Sequence, residues 1–400
     1  MNKYDLYQIK QSFIKLNRKS EKERNLFLLN LIKSLKKNKE KIIRANNKDL
    51  DIASKNGLSS AFLDRLKFQE SEFLNTISQV KATIHLKSGI GEILEKRNLL
   101  NGTVLKKVSV PIGIILVIFE SRPEVVIDVI SLCIKSGNAI ILKGGSEALN
   151  TIKVFYECVK CSLAKTHFPE LSVELIENKK QIYNLIGQKD IIDLVIARGG
   201  YQMVEDIVNK SKVPVLAHSA GGARIYVDAS ANLEKALKII VNAKVSKPSA
   251  CNSLDTVLIS EKIAPIFLPE LIARLKSYHV EIFTDKKSDD FWDEEFLSLK
   301  IGIKIVKGIE EAVDFICRFG KLHSEGIIAK DKKVISLFTK AVDAAGIFVN
   351  CSTRLHDGGV FGMGTEMGIS TGKLHARGPV GLRELTTYKY IIEGKGQIRD

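Results

Sequence analysis

Cys251 stands in the peptide Lys247-Pro248-Ser249-Ala250-Cys251-Asn252-Ser253, between a helix-patterned run at 233–243 and a strand-patterned run at 256–259. A proline approach and small neighbours present a thiol to a reactant, whereas a packing thiol sits inside an apolar period among bulky side chains. The other cysteines read as packing. Cys133 and Cys317 fall in apolar helical periods, and Cys351 follows the strand-like Ile347-Phe348-Val349-Asn350. Cys158-x-x-Cys161 has redox or metal spacing, but it lies inside a helical run at 150–166 without a second pair for a zinc site, so the spacing reads as chance.

Two glycine loops carry a second kind of chemistry. Lys143-Gly144-Gly145-Ser146-Glu147 follows a strand-like run and opens a helix, and Arg198-Gly199-Gly200 does the same further on. Exposed backbone N–H groups at a helix start suit a phosphate, although glycines at a strand end also serve simply to turn the chain. Two such loops in one sheet, one of them beside Lys143, point to a dinucleotide. An ammonium at Lys143 suits the adenosine ribose or its 2′-phosphate, which argues for NADP over NAD. The thiol opens a different α/β unit, beginning near Ile225, so a cleft with cofactor on one wall and thiol on the other is expected.

The elements that must hold these groups follow from periodicity. Ser20 with Glu23 has the spacing of a capping box, and helical patterning continues to about Ile77. Short strand-like pieces at 92–109 flank Asn101-Gly102, which predicts a hairpin. Strand patterns at 114–119, 139–142, 173–175, 194–196 and 213–216 then alternate with helical stretches, the signature of a parallel α/β sheet. The glycine-dense segment at 357–381 is too apolar and varied for a linker and reads as close backbone packing or a ligand loop.

Composition excludes several classes. With 400 residues, 45% of them apolar and 27% charged, the chain is globular and long enough for two domains. Its net charge of +15 is not concentrated on one element. The densest basic stretch, 33–44, reads as the solvated face of one amphipathic helix over Leu28, Leu31, Ile32 and Leu35, so no nucleic-acid partner is expected. A diffuse positive field still attracts anionic substrates. Met1-Asn2-Lys3-Tyr4-Asp5 lacks a secretory core, and the most apolar run, 108–119, is interrupted by Pro111 and Gly113, so no membrane association is expected. Six cysteines without a framework pattern fit a reducing cytoplasm.

Phe119-Glu120-Ser121-Arg122-Pro123, Lys135-Ser136-Gly137-Asn138-Ala139, the stretches 143–148 and 248–252, and above all Gly368-Ile369-Ser370-Thr371 with Lys373-Leu374-His375-Ala376-Arg377-Gly378-Pro379 resemble the gamma-glutamyl phosphate reductase family. Its members, also called glutamate-5-semialdehyde dehydrogenases, belong to the aldehyde dehydrogenase superfamily. The likeness runs in order from Leu63-Asp64-Arg65-Leu66 to Gln397-Ile398-Arg399. It implies an α/β, aldehyde dehydrogenase-like fold with a Rossmann-like cofactor domain at 1–90 and 111–222, a return segment at 364–381, and an α/β catalytic domain at 223–363. A small β oligomerisation element from 91–110 and 382–400, and hence a homo-oligomer, completes it. The resemblance also implies reduction of L-glutamyl 5-phosphate by NADPH in proline biosynthesis, downstream of a glutamate 5-kinase.

On this reading the Cys251 thiolate displaces phosphate to give a thioester, which hydride reduces to the aldehyde, and no metal is required. Candidates for the oxyanion are the Cys251 backbone N–H and a group from the Ser121-Arg122 turn. Arg122 equally suits the leaving phosphate or a plain salt bridge, and His218 suits substrate, phosphate or a backbone partner. Asn252 and Arg377 are assigned to substrate or phosphate; His375 and His323 stay open. Hydrolytic relatives carry a Glu-Leu-Gly-Gly motif where this chain has Leu216-Ala217-His218-Ser219-Ala220-Gly221-Gly222, and the missing carboxylate favours a phosphate-dependent reductase. Ala223-Arg224 replaces the family's Cys-His pair and is expected to alter the substrate pocket. The alternatives are a reductase of another acyl phosphate or acyl thioester and, outside enzymes, a scaffold or nucleic-acid binder.

Overall fold

The computed structural model describes residues 3–217, 221–284 and 288–399, and among them no helix is long and apolar enough to cross a membrane. The chain divides into two compact units. The first comprises 1–217, 362–368 and 380–400, and the second comprises 218–361 and 369–379.

The first unit opens with helices. Ser20 caps the helix Glu21–Lys37, and the Glu23 carboxylate accepts the Ser20 N–H at 2.7 Å, completing the capping box. The basic run does not form the single helix its pattern predicts. It breaks at Asn38, whose N–H closes on the Ser34 and Leu35 carbonyls while its side-chain amide donates to Ser34 O at 2.8 Å, and a new helix Lys39–Lys55 begins. Asparagine offers the backbone an alternative partner, and that competition ends the helix.

Strands β1 (Ile93–Asn98) and β2 (Val104–Pro111) form the expected antiparallel hairpin, with Gly102 at φ +80° in its turn. Strands β3 (Ile114–Phe119), β4 (Ala139–Lys143), β5 (Val173–Leu175), β6 (Leu194–Arg198) and β7 (Val215–Ala217) follow, separated by helices. They pair in parallel in the order β5-β4-β3-β6-β7. All six residues of β3 are buried, as a central parallel strand covered on both faces requires. Strand order reverses at β3, which places a crevice at the carboxyl ends of β3 and β6.

The second unit contains β8 (Ala223–Val227), β9 (Leu254–Ser260), β10 (Glu281–Thr284), β11 (Lys300–Val306), β12 (Ser324–Ile328) and β13 (Gly346–Val349), all parallel in the order β10-β11-β9-β8-β12-β13. Alternation splits each strand between two cores: Ile225, Val227, Val257 and Ile259 pack on one face, Tyr226 and Leu258 on the other. Cys317, expected in packing, is exposed on the helix Ile309–Phe319, because the apolar stripe of that helix runs through Ala312, Phe315, Ile316 and Phe319.

The glycine-dense tail departs from the expected return segment. Its middle belongs to the second unit, where β14 (Ile369–Ser370) pairs with β15 (Gly378–Pro379) and Lys373 and Arg377 both bond Asp343. The chain then returns to the first unit, where β16 (Thr386–Glu393) adds antiparallel to β2. The three-stranded sheet β1-β2-β16 leaves Ile93, Leu94, Tyr388, Tyr390 and Ile392 exposed.

Asn138 ties this tail to the central sheet. Its buried amide accepts the Gly113 N–H at 2.8 Å and donates to Leu385 O at 2.9 Å. Asn138→Ala leaves the buried Gly113 N–H without its partner and Leu385 O with only its longer bond from Ile112 N–H, so denaturant unfolding should show a stability loss of about 1–3 kcal/mol.

Candidate active site

At the carboxyl ends of β3, β4 and β6 a cavity of about 770 Å³ is lined by Phe119, Glu120, Lys143, Gly144, Lys179 and Gly200 among others. A Cβ at Gly144 would lie 2.3 Å from Ile152 Cδ1 and 2.9 Å from the Phe119 ring, so a larger residue would force those side chains to shift. Lys143 is nearly buried, and its Nζ donates to Gly144 O. Burial lowers its pKa, and nearby Lys179 adds to that while Glu147 and Glu120 oppose it. Lys179, which the sequence reading missed, makes this end of the cavity dicationic.

The expected phosphate loops are partly occupied by the protein's own carboxylates. Gly200 N–H donates to Glu120 Oε2 at 2.8 Å, where the start of the helix Tyr201–Lys210 favours an anion. Glu147 Oε1 accepts the Ser121 N–H at 2.8 Å, and Arg122 N–H donates to Glu120 O at 2.8 Å. Both amides of the Ser121-Arg122 turn are thus engaged, so the turn's remaining donors are side chains. Ser121 holds φ +62°, unusual for a residue other than glycine, and the half-buried Arg122 has no carboxylate partner among the described residues. Arg198 donates to Met367 O at 2.9 Å, beside Gly199, and not into a phosphate cradle. Asp128 also lies near Arg198; burial first, then Glu124, pushes its carboxyl up to about 7.

In the second unit Cys251 is half-buried at the amino edge of β8 and β9. Gly222 N–H donates to Cys251 O at 2.6 Å. A Cβ at Gly221 would lie 2.5 Å from that carbonyl, and 2.6 Å from both Cys251 Cβ and a Glu295 carboxylate oxygen, so only glycine lets the two segments meet. Arg354, unremarked in the sequence, lies near enough to Cys251 to interact with its charge: burial disfavours the charged guanidinium, and Cys251 and Asp357 oppose that effect. Arg354 Nη1 donates to Asn252 Oδ1, while Asn252 Nδ2 donates to His356 O at 2.9 Å. Asn252, expected on the substrate, is buried and spends its amide on holding the Arg354 loop. His218 lies outside the described residues.

Arg224 is not in an open pocket. It is fully buried, with its guanidinium donating to Gly222 O at 3.3 Å and Trp292 O at 3.2 Å. Buried Lys244 reaches Asp255 at 3.3 Å, and the Glu325 carboxylate accepts Arg224 N–H at 3.1 Å. Close by, Ser324 Oγ joins His323 Nδ1 at 2.7 Å and His356 Nδ1 at 2.8 Å, which makes His323 a buried structural residue. Arg377 bonds Asp343.

A thiol presented at a strand's amino edge and a sheet-end cavity suited to a dinucleotide define a class, and the comparisons agree with it. Residues 8–290 match the aldehyde dehydrogenase family, to which the chain belongs. The crystal structure of gamma-glutamyl phosphate reductase from Thermotoga maritima superposes with a TM-score of 0.95 at 36% identity over 99% of each chain. The gamma-glutamyl phosphate reductase of Dictyoglomus turgidum is 42% identical over 94% of each chain. Within that family the chain therefore belongs with the gamma-glutamyl phosphate reductases. An acetylating aldehyde dehydrogenase from Geobacillus thermoglucosidasius, 18% identical with a TM-score of 0.74 over 99% of this chain and 97% of that one, shares the fold.

Burial first, with Asp255 adding, raises the Glu325 pKa from 4.5 to about 8, against favourable contacts from Arg224. Its contribution to stability is full below about pH 4.5 and is lost as pH rises through about 8, because the unfolded chain ionises first. Glu325→Gln should flatten that slope in thermal or denaturant melts, so that the variant gains on wild type as pH rises between these limits.

Proposed function

We propose that this chain reduces L-glutamyl 5-phosphate to L-glutamate 5-semialdehyde with NADPH, as the second step of proline biosynthesis in the cytoplasm. The observation that carries the reading is Cys251 held at the Gly221-Gly222 turn, with Arg354 bonded to the side chain of the adjacent Asn252. A guanidinium next to sulfur favours the thiolate. That thiolate attacks the acyl carbon, the bond to phosphate breaks, and inorganic phosphate leaves a thioester on Cys251. Lys143, Gly144, Gly200 and Lys179 would hold a nicotinamide dinucleotide, which when bound would supply hydride chemistry to the acyl carbon, and Cys251 is released as the thiolate with the aldehyde. Cys251 N–H and Arg354 are the proposed donors to oxyanion and phosphate. Lys143 and Lys179 in the first unit's cavity fit a 2′-phosphate, which supports NADP. The exposed apolar side chains of β1 and β16 support a homo-oligomer contact, and a glutamate 5-kinase supplies the substrate.

Glu295 opposite Cys251 favours one second reading, a hydrolytic dehydrogenase in which that carboxylate activates water. Running the reaction from the semialdehyde separates the two. NADPH formation should require added phosphate and vanish in Cys251→Ala, with NADPH binding retained; phosphate-independent turnover overturns the acyl-phosphate reading. Lys143→Ala should raise KM for NADP about 10–100-fold and barely move that for NAD. Equal effects on both would remove Lys143 from the 2′-phosphate.

A further inference from the structure

We propose that a basic cavity between the helices Glu21–Lys37 and Leu149–Lys165 binds an anionic low-molecular-weight disulfide and that Cys161 exchanges with it to form a mixed disulfide. The cavity, about 350 Å³, is lined by Lys33, Lys37, Lys165, Glu157, Cys158 and Cys161. That volume is at the small end of ligand pockets, which start at roughly 300 Å³. Glu157 is engaged by Lys41, whereas Lys33, Lys37 and Lys165 have no carboxylate partner among the described residues. Three ammonium groups therefore face a space that also contains an exposed thiol. A solvated helix face explains the lysines but not a concave wall shared with two cysteines. Cations draw in and hold a carboxylate-bearing disulfide beside the thiol that attacks it.

The exchange needs no outside oxidant. Cys161 loses its proton to solvent and its sulfur attacks one sulfur of the disulfide; that S–S bond breaks, and the other half leaves as a thiolate. Cys158 lies one turn earlier on the same helix, where it could resolve the adduct. It is buried, its Sγ contacts Ser34 O at 3.8 Å, and burial raises its pKa, so the mixed disulfide should persist. The site rests on the first unit's helical layer and is independent of the reductase reading.

Cys317 supplies an internal control, because it is equally exposed but its neighbour Arg318 is paired with Asp289. The full-length protein would be incubated with oxidised glutathione, neutral hydroxyethyl disulfide or cationic cystamine, and modification at Cys161 and Cys317 followed by peptide mass spectrometry. Cys161 should react several-fold faster with oxidised glutathione than with the neutral disulfide, and slowest with cystamine. In about 1 M salt, where screening acts within about 3 Å, the order should collapse. Lys33→Gln with Lys37→Gln should remove the preference at Cys161 and leave Cys317 unchanged. Equal rates for the three disulfides, the same preference at Cys317, or rapid conversion to a Cys158–Cys161 disulfide would overturn the proposal.

Discussion

The approach of two backbones at Gly221-Gly222 and Cys251 is the constraint on which the candidate site of the second unit depends. A 2.6 Å hydrogen bond from Gly222 N–H to Cys251 O leaves no room for a Cβ at position 221, and Gly222 itself sits at φ +95°. Arg224, two residues on, secures the same turn from beneath by donating to Gly222 O. Buried charges are costly unless paired, so Asp255 and Lys244 pair near Arg224, while the Arg224 guanidinium partly offsets the burial that raises the Asp255 and Glu325 carboxyls. The position of the sulfur is therefore set by backbone contacts and a buried ion cluster.

The two units use opposite edges of their sheets. In the first, the crevice opens at the carboxyl ends of β3 and β6, where parallel strand order reverses and loops can part. In the second, the thiol, the glycine turn and the Arg354 loop gather at the amino edge of β8, β9 and β12. Glu120 and Glu147 add a further device in the first unit. By accepting the N–H groups of Gly200 and Ser121 they keep two loops ordered with internal anions, which leaves Lys143 and Lys179 as the cationic groups for a ligand.

Much of the architecture was legible because burial writes itself into local runs. Five strand patterns of the first sheet, the hairpin at Asn101-Gly102 and the Ser20 capping box all reappear as elements, since each rests on contacts within a few residues or on uninterrupted burial of both faces. The break at Asn38 was missed because one side chain outcompeted a helical period that continues across it. Cys317 was misread because an apolar period does not say on which side of the stripe a small residue falls.

The candidate site divides along the same line. Cys251 and the loop at Lys143 stood out as candidates in the sequence because a presented thiol and a strand-end turn each need short-range turn chemistry, which leaves prolines, glycines and small residues beside them. Arg354, Glu295 and Lys179 carry no such local mark, and they come beside their partners only when sheet order and loop packing assemble distant segments. Tertiary structure likewise decided that Arg224 is an internal brace and not a pocket wall, because side-chain identity fixes a charge while burial fixes what that charge can meet. The sequence by itself carried the candidate thiol, the alternating parallel units and the family likeness; the neighbours around that thiol were decided by contacts spanning about a hundred residues, as between Asn252 and Arg354, 102 positions apart.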